Sequence, residues 1–235
     1  NLTLFWGVSQ MKMVENLIPN KNFAIVTGHP RFQLLKKEFK YLYKDDVNEI
    51  KEKFGKYILI NTNFARANNI KGVEKARENY IGRYKNIDSR INNDNIKIKI
   101  FSSLIYKLAQ LNYNIVIRPH PEEKISTYNK LFKSYSNVYI INKKSAIPWI
   151  IASETLIHSD CTTAVESLML GKKSISYIHK DLDQSVLTVL PQKASYVFEN
   201  EKQILDFIKY EKYKEKVDLK KYKWLNTNFN YSKNS

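Results

Sequence analysis

Six short, mostly apolar runs recur along this chain, each followed by a stretch of helical character. They lie at Tyr57–Asn61, Ile115–Ile117, Val138–Ile141, Thr155–Ile157, Ser174–Tyr177 and Tyr196–Phe198. No other feature constrains the fold as tightly. A half-buried strand alternates apolar and polar residues, whereas a short unbroken apolar run is covered on both faces. Strands of that kind with helices between them form a parallel sheet clad in helices. Right-handed crossovers then give an α/β fold, a Rossmann-like doubly wound sheet of about six strands.

The sequence has 235 residues, of which 43% are hydrophobic and 13% aromatic, enough to bury a sizeable core. No apolar run approaches the roughly 18 residues of a spanning helix. Residue 1 is Asn, so the sequence is expected to be a piece of a longer protein. Residues 1–45 read as a connector from a preceding domain, 46–212 as the Rossmann-like domain and 213–235 as a basic C-terminal tail. Within the domain, Asp46–Phe54 reads as a helix capped by Asp45 and Asp46 and closed by Gly55. Gly72–Ile87 reads as a charged helix. Asp94–Leu111 is the best amphipathic stretch, with Asp94 as its cap and Ile100, Leu104, Leu108 and Leu111 as its apolar stripe.

The net charge is +16. The lysines are spread out, and Lys, Asn, Ile and Tyr are abundant together, the pattern of a base-biased coding sequence. This favours a solvated basic surface, able to rest on anionic lipid, over nucleic-acid binding. The single Cys161 excludes an internal disulfide and suits a reducing compartment.

In a doubly wound sheet, ligands sit at the carboxyl ends of the strands, and three runs end in polar residues there. The first ends in Asn61-Thr62-Asn63. The second ends in Arg118-Pro119-His120-Pro121, where Arg118 offers a forked donor, His120 a donor of tunable charge, and the prolines fix the backbone. The fourth opens into His158-Ser159-Asp160-Cys161-Thr162-Thr163, followed by a helix carrying Glu166 and stopped by Gly171. A hydroxyl-rich turn at a helix start can hold an anion. The plainer readings are that Ser159, Asp160 and Thr162 cap a helix, that Arg118 makes a surface salt bridge and that His120 sits in a turn. The four histidines lack metal-ligand spacing, and GxGxxG, P-loop and GxSxG patterns are absent.

RPHP after a central strand, with HSDCTTAVESLMLGKKSISY downstream, resembles the C-terminal, nucleotide-binding half of GT-B glycosyltransferases. The similarity is greatest to the bacterial surface-carbohydrate and capsule biosynthesis group, which includes CDP-glycerol glycerophosphotransferases and capsular Kdo transferases. FWGVSQMK and VTGHPRFQLL are similar to the segment that leads into that half. The resemblance implies a CMP-, CDP- or UDP-linked sugar donor with no cofactor and no metal. It implies His120 as the catalytic residue at the donor phosphate, with Arg118 beside it. Ser159, Thr162 and Thr163 would serve the phosphate and Glu166 the ribose, and His158, Asp160, Asn61 and Asn63 would complete the site. It also implies an N-terminal GT-B domain that brings a glycan or lipid-linked acceptor and the base, and a cytoplasmic location, peripheral to the inner face of the membrane. The alternatives are a sugar-nucleotide epimerase of the same fold, a glycerophosphotransferase, and a non-catalytic basic module for polyanions or lipid.

Overall fold

All six apolar runs become strands of one parallel sheet in the computed structural model, which describes residues 2–17 and 23–231. The chain starts with β1 (Thr3–Phe5), α1 (Val8–Met13), β2 (Ala24–Val26), α2 (Pro30–Gln33) and α3 (Lys44–Phe54). It continues with β3 (Ile58–Asn61), α4 (Val73–Tyr80), α5 (Ile87–Gln110), β4 (Ile115–Arg118), α6 (Ile125–Phe132), β5 (Val138–Ile140) and α7 (Ala146–Ala152). The last part holds β6 (Thr155–His158), α8 (Thr163–Met169), β7 (Ser174–Tyr177), α9 (Val189–Lys193), β8 (Ser195–Phe198), α10 (Glu201–Lys209) and α11 (Trp224–Phe229).

The large sheet runs β5-β4-β3-β6-β7-β8, with every neighbouring pair parallel. Counted in chain order within this sheet, that is 3-2-1-4-5-6, the doubly wound order whose direction reverses between its first and fourth strands, here β3 and β6. Both faces are covered. Leu59, Val116 and Leu156 point into a core shared with α3, α7, α8 and α11. Ile58, Ile60, Ile115, Ile117, Ile157 and Ile175 point into the opposite core, against Phe101, Leu104, Ile105 and Leu108 of α5 and Ile204, Phe207 and Ile208 of α10.

Expectations for three of the helices need correction. The charged stretch before α5 is helical only over α4, after which residues 81–86 turn and Asn86 takes a left-handed φ of +57°. Asp94 does not cap α5. The helix begins two turns earlier, and Asp94 lies within it, fully buried, accepting from the backbone N of Arg66 at 3.0 Å and its Nη2 at 2.9 Å. The apolar stripe ends at Leu108, and Leu111 is 59% exposed. Asp45 and Asp46 lie in the first turn of α3 without capping it; Asp46 instead pairs with Lys144 at 2.6 Å.

At the N-terminus β1 and β2 form a separate two-stranded parallel sheet. It leaves Leu2, Leu4, Phe23 and Ile25 exposed. Residues 211–231 fold back over the body. Leu225, Phe229 and Tyr231 are buried there, and the Tyr231 hydroxyl donates to the Met169 carbonyl at 3.1 Å.

Two glycines serve this architecture for different reasons. Gly7 has an extended φ of −162°, but a Cβ there would lie 2.3 Å from the backbone carbonyl of Asn228, where α1 meets α11. Gly171 has open space around it but a φ of +85°, ending α8 in a Schellman turn in which Lys172 N donates to Ser167 O and Gly171 N to Leu168 O. Gly171→Ala is therefore expected to cost about 1–2 kcal/mol, with Gly171→Asn less damaging, because only the left-handed conformation is at stake. Gly7→Ala should cost about 1–3 kcal/mol by overpacking, and Gly7→Asn no less. Urea denaturation midpoints of the four variants check the contrast.

Candidate functional site

The ends of β3 and β4 stand side by side, with Asn61 in register with Arg118. Beside them the loop after β6 opens on the other side of the reversal. Between these loops lies a cleft of about 810 Å³, lined by Asn61, Thr62 and Asn63, by Arg118–Pro121, by Lys144–Ile147 and by Cys161, Thr162 and Thr163. The N-terminal segment closes it with Arg31, Leu34 and Tyr43. The lining includes the cations Arg31, Arg118 and Lys144 and no carboxylate. Such a volume falls in the range that encloses a small ligand, and its charge selects an anion.

His120 is exposed in this cleft and held from behind. Its backbone N donates to Glu123 Oε1 at 3.0 Å, and its ring Nδ1 accepts from Glu122 N at 3.3 Å. A ring nitrogen that accepts an N–H bond carries no proton, so the neutral ring keeps its proton on Nε2 and has a donor to offer.

Glu123 is the residue that sequence reasoning missed. Only 2% exposed, its carboxylate also accepts from Thr62 Oγ1 at 2.9 Å, from Phe64 N at 3.2 Å and from the Tyr128 hydroxyl. Burial and the adjacent carboxylate push the Tyr128 phenol far up, so it remains a donor. One buried side chain thus ties the loop after β3 to the loop after β4. Its position directly after RPHP was the available signal, but nothing in sequence separates it from exposed Glu122.

Arg118 lines the cleft with its guanidinium already engaged. Nη1 donates to Lys143 O at 2.7 Å and Nη2 to Lys144 O at 3.1 Å, and the group lies 5.3 Å from the Trp149 ring centroid. Burial lowers its pKa to about 10. This fork secures the loop after β5, so Arg118 shapes the wall first. On the far side, Asn61 Nδ2 donates to Thr163 Oγ1 at 3.1 Å, and Thr163 Oγ1 donates to Cys161 Sγ at 3.2 Å. Asn61 Oδ1 is buried and has no partner among the described residues. Burial pushes the Cys161 thiol up.

Of the expected site residues, Arg118, His120, Asn61, Asn63, Thr162 and Thr163 meet in the cleft. His158, Ser159 and Asp160 do not. His158 is fully buried, its Nε2 at 3.1 Å from Ser174 Oγ and 2.9 Å from Ser195 Oγ and its Nδ1 accepting from Cys161 N at 3.4 Å. It belongs to the sheet, where parallel strands must satisfy their polar groups internally. The Ser159 side chain is buried, and its carbonyl accepts from Ser176 Oγ. Asp160 accepts from Lys97 Nζ at 2.7 Å, with Lys97 only 1% exposed, and from Thr188 N at 3.4 Å. Burial opposes its ionisation, yet Lys97 and Arg66 hold the carboxyl below its usual range. Glu166 is buried beneath Arg31, whose Nη2 lies 2.6 Å from Glu166 Oε1. Thr162 precedes α8 without a side-chain capping bond. Among the described residues no group of three or more His, Cys, Asp and Glu side chains is placed to hold a metal ion, and no helix is long and apolar enough to cross a membrane.

No family model matches this sequence, and no curated protein does. Solved structures do. UDP-GlcNAc 2-epimerase from Methanocaldococcus jannaschii, in complex with UDP-GlcNAc and UDP, is 15% identical with a TM-score of 0.56 over 91% of this chain and 55% of that one. The wall teichoic acid polymerase TagF is 12% identical with a TM-score of 0.54 over 97% of this chain and 52% of that one. The chain therefore has the Rossmann-like fold of one half of a GT-B protein, and it spans just over half the length of these structures.

His158 makes acid stability a direct check on its buried role. Burial lowers its pKa to about 4, against 6.5 when unfolded. Between those values the unfolded chain binds a proton that the folded one refuses, so stability falls as pH drops from 6.5 to 4, by up to about 3 kcal/mol. His158→Gln, which keeps a donor toward the serines, should flatten that part of the stability-versus-pH curve measured by urea titration. A curve that keeps its full slope would place the acid dependence elsewhere.

Proposed function

We propose that this chain is the donor-binding half of a glycosyltransferase, holding the nucleotide end of a CMP-, CDP- or UDP-linked sugar in the cleft between β3, β4 and β6. The observation that carries this reading is the cleft itself. It lies at the point where the strand order reverses, has cations and hydroxyls but no carboxylate in its lining, and presents His120 on a rigid proline-flanked turn. Ligands of doubly wound sheets bind at that point. A nucleotide leaving group develops negative charge on its phosphate, and fixed donors aimed at that charge lower the barrier. His120 Nε2–H, Arg31 and the Thr162 and Thr163 hydroxyls are the candidates for that task, with His120 as the catalytic donor and no metal required.

In this reading the acceptor, a glycan or lipid-linked glycan of a bacterial surface polysaccharide, arrives on an N-terminal GT-B domain. The exposed apolar face of β1 and β2 supports such a neighbour. The basic charge supports work beside an anionic membrane on its cytoplasmic side. An epimerase is the second reading, favoured by the structural likeness to UDP-GlcNAc 2-epimerase. Incubating the full-length protein with a UDP-sugar alone separates the two, since an epimerase needs no acceptor.

A thermal-shift panel of CMP-, CDP-, UDP- and GDP-sugars tests the reading, because a ligand of the native state raises the melting temperature by mass action. At least one member should stabilise the protein. His120→Ala should keep its own melting temperature but bind that ligand at least about tenfold more weakly by calorimetry, as loss of a hydrogen bond to a charged group predicts. Unchanged affinity would remove His120 from the site.

A further inference from the structure

The pairing of Arg31 with Glu166 joins two segments far apart in sequence and unequal in burial. The Glu166 side chain is 4% exposed, and its Oε2 is buried without a partner among the described residues. The charge on this carboxylate is balanced through Oε1 by a guanidinium that is itself 57% exposed. Burial raises the Glu166 carboxyl, and Arg31 opposes that shift. Arg31 stands on the short α2, which starts at Pro30 with the His29 ring accepting from Arg31 N at 3.1 Å. It lines the cleft with Asn61, His120, Thr162 and Thr163, while Glu166 lies behind it and does not.

A buried carboxylate with one covered and one unsatisfied oxygen is suited to two adjacent hydroxyls, which donate one hydrogen bond to each oxygen. A cis-diol would take the place that the guanidinium now fills. The displaced guanidinium would remain in the cleft on an exposed, flexible stem, where a phosphate offers its fork two oxygens in place of the single Glu166 oxygen it now meets. We propose that Arg31 is an exchangeable cover. It neutralises Glu166 while the cleft is empty and transfers to the phosphate of a bound nucleoside diphosphate as the ribose diol takes Glu166. This rests on the nucleotide reading above and adds a distinct consequence: the diol and the phosphate are recognised through one side chain, with opposite signs.

The sign difference is the test. Arg31→Ala and Arg31→Gln are titrated by calorimetry with CDP and UDP, and by ligand-observed NMR with cytidine and uridine. Thermal melting checks folding, and the half-exposed position makes both variants tolerable. Exchange predicts that the preferred nucleoside diphosphate weakens by about tenfold or more, while its nucleoside tightens several-fold because no cover has to leave. A 2′-deoxynucleoside should show no tightening. Equal weakening of nucleoside and diphosphate would make Arg31 a structural support, and weakening of the diphosphate alone would make it a plain phosphate ligand; either result overturns exchange while leaving the nucleotide reading intact. Failure of the unaltered protein to bind any of these four ligands would overturn the exchange, and failure to bind CMP as well would overturn the nucleotide reading with it.

Discussion

A parallel sheet covered by helices on both faces leaves little room for polar side chains along its strands. The rest of this structure depends on that constraint. Leu59, Val116 and Leu156 fill one face, and Ile60, Ile117 and Ile157 fill the other. Polar chemistry is displaced to the strand ends. Because the strand order reverses between β3 and β6, the loops at those carboxyl ends diverge and leave a cleft. Among the polar groups that the strands do carry, His158, Ser174 and Ser195 satisfy one another.

The loops that form the cleft are fixed from beneath by buried polar side chains. Glu123 draws together the backbones after β3 and β4. Arg118 ties the loop after β5 to β4 through two carbonyls. Lys97 reaches from α5 to Asp160 in the loop after β6, and Asp160 in turn holds Thr188. The Glu123 and Lys97–Asp160 contacts are buried or partly so, and an unsatisfied partner there would cost about 1–3 kcal/mol. Preorganisation of this kind leaves His120, Thr162 and Thr163 little freedom to lose on binding, which is what stabilising a developing charge requires.

The fold was largely legible in the sequence, because burial on both faces writes itself as apolar runs and Gly171 marks the end of α8 by its backbone demand alone. The cleft was legible in part. RPHP, Asn61, Asn63 and the Thr162-Thr163 pair stand directly at strand ends, so topology alone gathers them. His158, Asp160 and Glu166 stand close to the same ends, yet two serines hold His158 and Lys97 of α5 holds Asp160 inward, while Arg31 of α2 covers Glu166 from the cleft side. Asp94 reads as a helix cap but is buried within α5 against Arg66, and beside it Asn93 and Lys97 are buried against Asp183 and Asp160. Periodicity reads hydrophobicity, and a buried charge with a distant partner has the same letter as an exposed one.

Cys161 permits the most direct test of the central claim, that the cleft between β3, β4 and β6 holds a nucleotide. It is the single cysteine of the chain and it lines that cleft. The rate at which a small thiol reagent labels it at mildly alkaline pH should fall several-fold when CDP, UDP or CMP is present at saturation, with a concentration dependence that matches the affinity from calorimetry. A labelling rate unaffected by a nucleotide that calorimetry shows to be bound would place the binding site elsewhere and contradict the account.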